Sequence, residues 1–143
     1  MREMEEGDVR FLSVFLKLWL PVLGYVTLIF LLSSVSELPG RRLLPHMDKV
    51  AHFVEYGILG FLVARAFRHS QIYFVTRFWL GLAIIAALAV GFLDEWYQNT
   101  VPGRERSSLD FVADAVGVLF GQLILLVMEK KWERKSRRRE SNR

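Results

Sequence analysis

The 143-residue chain has no cysteine, only four prolines and only three histidines. Without cysteine there are no disulfides, no thiol nucleophile and no thiolate-ligated metal centre. Charge is also missing, but locally: residues 18–36 carry no charged side chain, and residues 78–93 carry none before Asp94. A soluble four-helix protein needs a polar stripe on each helix, and residues 18–36 lack one. What is present is apolar: 52% of residues are hydrophobic and 13% aromatic. Crossing a bilayer takes roughly 20 apolar residues in a helix. Two further apolar runs, residues 50–66 and 111–128, are interrupted only by a few polar groups such as His52, Glu55 and Asp114. The pattern predicts an all-α polytopic membrane protein with four transmembrane helices, at residues 14–35, 47–67, 76–98 and 109–128.

The formal charge of +4 is unevenly spread. Residues 129–143 carry eight Lys/Arg against three acids, a net of +5, which leaves −1 for the other 128 residues. A basic footprint for nucleic acid would need a charged face on a folded domain, so nucleic acid is not an expected partner. Basic residues flank the apolar runs at Arg2, Arg10 and Lys17, again at Arg65, Arg68 and Arg77, and most densely in the tail. The opposite connections hold fewer: Arg41, Arg42 and Lys49, then Arg104 and Arg106. The positive-inside rule therefore predicts both termini in the cytoplasm. Residues 1–13 read as a cytoplasmic segment, 14–128 as the membrane domain and 129–143 as a basic cytoplasmic tail touching anionic headgroups, with Trp132 near the interface. Residues 1–10 contain four acids and no small-residue cleavage pattern follows, so the first run is expected to stay as a membrane helix.

The polar interruptions fall at matching depths. Lys49, His52, Glu55 and Tyr56 belong to the outer half of the second helix, Asp94, Glu95 and Gln98 to the outer end of the third, and Arg104, Asp110 and Asp114 to the loop before the fourth helix and its first turns. Polar groups inside a membrane are costly unless they pair or line a wet cavity, and they mark function by default. At about 100° per residue, Lys49, His52 and Glu55 share one helix face, while Asp110 and Asp114 sit one turn apart above Gly117 and Gly121. That small-xxx-small pair suits close helix contact, with Gly57 and Gly60 available opposite. Arg65, near the inner end, reads as a snorkelling residue.

These residues resemble the VanZ-like family of small integral membrane proteins. The resemblance rests on Asp48-Lys49-x-x-His52-Phe53-x-x-Tyr56-x-x-Leu59-Gly60, on Asp94-Glu95-x-x-Gln98, on Pro102-Gly103-Arg104, and on Asp110 with Asp114 and Gly117 before Gly121. It covers about half of the chain. Many relatives carry an asparagine near the position of Asp114, where this chain has an acid. The family relationship implies an envelope role in the bacterial cytoplasmic membrane and a link to teicoplanin, a glycopeptide antibiotic, without fixing a reaction.

Two classes of function fit the polar cluster. One is an enzyme that hydrolyses or modifies a lipid-linked or phosphate-containing substrate in an outward-facing cleft. His52, Glu55, Glu95 and Asp110 are its candidate catalytic groups, with His52 or Glu55 as general base. Lys49, Tyr56, Asp94, Gln98, Arg104 and Asp114 would bind substrate, Arg104 and Lys49 by contacting a phosphate or carboxylate. Ser107 and Ser108 have no readable base, and Ser33 and Ser34 read as packing residues, so water is the simpler nucleophile. The other class is a nonenzymatic factor that binds a lipid or envelope precursor and contributes to glycopeptide resistance. A transporter fits less well, because no acidic path continues inward. No cofactor is predicted and no metal site is assigned, since no established zinc motif is present. A divalent metal held by His52, Glu55, Asp94, Glu95 and Asp110 is the open variant, and a homo-oligomer is open in either class.

Overall fold

The computed structural model describes residues 2–35, 47–102 and 108–142, all helix and connecting turns with no strand among them. The elements are α1 (Arg2–Ser33), α2 (Met47–Arg68), a short α3 (Tyr73–Arg77), α4 (Trp79–Gln98) and α5 (Ser108–Ser141). Four of them, all but α3, are long and apolar enough to cross a membrane.

The boundaries depart from the expected ones in three places. α1 begins at Arg2 rather than near residue 14, because the Glu- and Arg-rich start continues the helix instead of breaking it. The third expected helix is split: α3 ends at Arg77, Phe78 leaves helical geometry with φ −111° and ψ 19°, and α4 starts at Trp79. α5 runs on through the basic tail for 34 residues. At 1.5 Å per residue that is about 51 Å, well beyond a hydrocarbon core of about 30 Å.

α2 is the central helix, touching the other three spans and packing most extensively on α5. Lipid supplies no hydrophobic drive for this contact, so it depends on backbones coming close enough for dispersion. Glycines permit that on both sides. A Cβ at Gly60 would stand 2.6 Å from the Val118 carbonyl oxygen and 2.7 Å from its Cα. One at Gly117 would run into the Phe53 carbonyl oxygen, and one at Gly121 into that of Gly57. α1 is the least buried span, with Leu20, Leu23 and Leu31 exposed for lipid to cover.

Two polar clasps hold the bundle at the end where α2 finishes. Pro21 lies inside α1 and has no N–H, which leaves the carbonyl of Lys17 without its intrahelical donor. Arg65 of α2 supplies one, its Nη2 donating to Lys17 O at 3.0 Å. Arg65 therefore reaches across to α1 rather than only snorkelling. Beside it, Trp19 meets Phe67 edge-on with centroids 5.1 Å apart. The second clasp ties α2 to α5: Arg68 Nε and His69 Nε2 each lie 3.3 Å from the Glu129 carboxylate. The Arg68 guanidinium also lies 5.7 Å from the Trp79 ring centroid.

Candidate functional site

At the opposite end, the start of α2, the end of α4 and the start of α5 bring their polar side chains together. His52, Tyr56, Asp94, Glu95, Gln98, Asp110 and Asp114 are all buried. Burial of Asp94 and Glu95 at 0% and 1% exposure rules out surface charge at a helix end.

His52 is the hub. Its Nδ1 lies 3.0 Å from Asp114 Oδ1, and its Nε2 lies 3.9 Å from Asp110 Oδ2. The two aspartates stand four residues apart on α5, so one helical turn spans the width of the imidazole. An ionised carboxylate only accepts hydrogen bonds, so with Asp114 ionised Nδ1 is the donor. Asp110 is held in turn by Lys49, whose Nζ donates at 2.8 Å to Asp110 Oδ1 and at 2.8 Å to Asp48 Oδ2. This ion pair is the more open edge of the cluster, with the Lys49 side chain 25% exposed. Tyr56, one turn below His52, keeps its ring parallel to the imidazole at a centroid distance of 6.3 Å.

α4 closes the other side. Gln98 Nε2 donates to Asp94 Oδ2 at 2.8 Å and to Ser33 Oγ of α1 at 3.2 Å. Ser34 Oγ and the Tyr97 hydroxyl are 2.9 Å apart. The end of α1 thus joins the polar network, and Ser33 is a member of it rather than a packing residue. Gly91 leaves room on α4: a Cβ there would stand 3.2 Å from Tyr56 Cε1 and 3.4 Å from Asp114 Oδ2. His52, Glu95 and Asp114 each present one nitrogen or oxygen within 4.8 Å of the others, so three helices contribute one potential ligand apiece.

Glu55 behaves differently from its neighbours. It is half-buried and interacts electrostatically with both His52 and Tyr25 of α1, which sets it at the α1 side of the cluster. Arg104 lies outside the described residues. Most of the described groups are buried, and the Asp48–Lys49 edge is the more exposed part of the cluster. Gln122, deeper on α5, is buried at 2% exposure with no hydrogen-bond partner for either side-chain atom, and it is not among the residues that the sequence singles out. Its only sequence signal is an amide inside an apolar run.

No curated protein and no solved structure matches the chain. The VanZ/LLP1 family model matches residues 9–129, which takes in all four spans and every group of the polar cluster. The chain is a VanZ-like, envelope-associated membrane protein and belongs to the VanZ/LLP1 family.

Proposed function

We propose that this protein hydrolyses a phosphate-containing headgroup on a lipid-linked envelope substrate, using the buried cluster centred on His52. The observation that carries this reading is the histidine flanked by two aspartates at one end of the helix bundle, with Glu95 brought in from a third helix. A cluster kept only for stability would be expensive here, because buried charges are difficult to satisfy in hydrocarbon.

In this reading Lys49 and Arg104 hold the substrate phosphate at the rim. Water attacks phosphorus, a group of the cluster takes its proton, and the bond from phosphorus to the leaving oxygen breaks as that oxygen is protonated. His52 and Glu55 are the proposed acceptors of that proton. Asp110 and Asp114 fix the imidazole, while Tyr56, Asp94 and Gln98 shape the wall. The cluster faces outward from the bacterial cytoplasmic membrane, with both termini inside. The test is incubation of purified protein with lipid-linked and phosphorylated envelope molecules, followed by mass spectrometry of products. Turnover that is lost in His52→Ala and Glu55→Gln supports the assignment; no turnover by folded protein, or unchanged turnover in both variants, sinks it.

One observation favours a second reading. Lys49 is already engaged by two carboxylates, which suits a factor that exchanges those partners for a bound headgroup without chemistry. That binding role, with its contribution to teicoplanin resistance, predicts selective lipid retention in native mass spectrometry that weakens in Arg104→Ala.

A further inference from the structure

We propose that His52, Glu95 and Asp114 form a binding site for one divalent cation of the zinc or manganese kind. The proposal rests on the reading that the buried cluster is the reaction centre, and it decides which group there accepts the proton.

Three features converge. The donor set is one imidazole and two carboxylates from three different helices, all at 1% exposure or less, with ligand atoms within 4.8 Å of one another. Imidazole with carboxylates is a donor set suited to zinc and manganese. His52 Nδ1 and Asp114 Oδ1 are 3.0 Å apart. Ligands about 2.0–2.2 Å from a shared ion stand about 2.8–3.1 Å apart at octahedral angles and about 3.3–3.6 Å apart at tetrahedral ones, so this pair has the spacing of two adjacent octahedral corners.

The second feature is a polar atom with nowhere else to go. Asp114 is fully buried, and its Oδ2 has no hydrogen-bond partner. That oxygen faces α4 next to Gly91, one turn before Glu95, in the wall that supplies the third ligand. An unsatisfied carboxylate oxygen in a low-dielectric interior is costly, and a cation held by both oxygens of Asp114 removes that cost.

The third feature is Asp110. A histidine that ligates a metal through one ring nitrogen characteristically gives its other N–H to a carboxylate, which fixes the ring and raises its basicity. Asp110 Oδ2 stands on the Nε2 side of His52 at 3.9 Å and is itself anchored by Lys49. The resulting order is Asp110, then His52, then the cation, with Glu95 and Asp114 completing the protein ligands. A cation bound at Nδ1 would engage His52 as ligand and would leave Glu55 to take the proton from the attacking water and return it to the leaving oxygen. The ion would supply a more acidic water.

The experiment uses tag-free full-length protein in detergent, stripped with chelator and reloaded with Zn2+ or Mn2+. The proposal expects one ion per chain by elemental analysis, a thermal shift on loading, and at least about tenfold loss of affinity in Glu95→Gln and Asp114→Asn. Asp110→Asn should weaken binding about 10- to 100-fold without removing it. Glu55→Gln should bind normally. X-ray absorption on Zn2+-loaded wild-type protein needs no variant and should report a single imidazole among oxygen ligands. Absence of saturable binding by the wild type, a shell without imidazole, or equal binding by folded Glu95→Gln and Asp114→Asn variants overturns the site. Zn2+ binding without turnover overturns the hydrolase reading alone, whereas turnover untouched by chelation overturns the cation site alone.

Discussion

His52 sits between Asp110 and Asp114, and these contacts differ in value because their burial differs. The Asp114 contact is closed on both sides, with side chains at 1% and 0% exposure, while Lys49 and Asp110 meet at a rim where the lysine is 25% exposed. A rim ion pair is worth about 0.2–1 kcal/mol, whereas orphaning a buried hydrogen-bonding group costs about 1–3 kcal/mol. Asp114→Ala should therefore destabilise the protein several times more than Lys49→Met, as read from unfolding in mixed micelles. Equal losses would mean that the imidazole contact is solvated. Much of this cluster was legible in the sequence, because charged residues in apolar runs stand out against a membrane background. Ser33 and Gln122 were not. A serine or glutamine carries no charge, and nothing in the local pattern separates a packing residue from the partner of Gln98 or from an unsatisfied amide in the core. Glu55 shares a helix face with His52 on the helical wheel and also interacts electrostatically with Tyr25 of α1, a neighbour not visible from the spacing within α2.

At the scale of elements, glycine positions set how α2 and α5 meet. Gly121→Ala puts a methyl against the Gly57 carbonyl and within 2.8 Å of the Phe61 backbone nitrogen. Backbone cannot move aside as a flexible side chain can, so the helices must separate. The expected cost is about 1–3 kcal/mol. Gly24→Ala, where nothing lies within 4 Å, should be neutral or stabilising by comparison. A thermal-unfolding series that ranked Gly24→Ala as the more damaging change would contradict this packing. The α1–α2 clasp makes a different prediction. Arg65 matters because Pro21 orphans the Lys17 carbonyl. Arg65→Ala should cost about 0.5–1.5 kcal/mol in the native chain and clearly less in a Pro21→Ala background, where the backbone N–H regained at that position satisfies the carbonyl. Additive effects in the double-mutant cycle would show that Arg65 acts elsewhere. Helix existence followed from the apolar runs, but helix ends did not. Residues 129–141 hold no proline or glycine to stop α5, and Lys, Arg and Glu are good helix formers, so a tail read from its charge is also a helical extension.

For the whole molecule, four spans sort the polar cluster to one end of the bundle and the Arg65 and Glu129 clasps to the other. The basic tail follows the clasp end, and the proposed orientation, argued from the positive-inside rule, has that end in the cytoplasm. Cysteines introduced singly at Arg106 and Ser136 should be labelled from opposite sides of the membrane by an impermeant reagent, with no background because the chain has none of its own. Labelling from one side would reverse the account of where the cluster opens. The lack of cysteine also sharpens the proposal: with thiols excluded, the proposed hydrolysis relies on water as its nucleophile.

The most direct test is hydrolysis by protein reconstituted in vesicles that contain phosphorylated envelope lipids, followed by phosphorus NMR. Wild-type protein and Arg65→Ala, which leaves the cluster intact, should release the headgroup phosphate, while His52→Ala and Glu55→Gln should fall by at least about 10²-fold. Release that persists in His52→Ala and Glu55→Gln, or that is absent from folded wild-type protein across the lipid panel, would contradict the claim that the buried cluster is a hydrolytic centre.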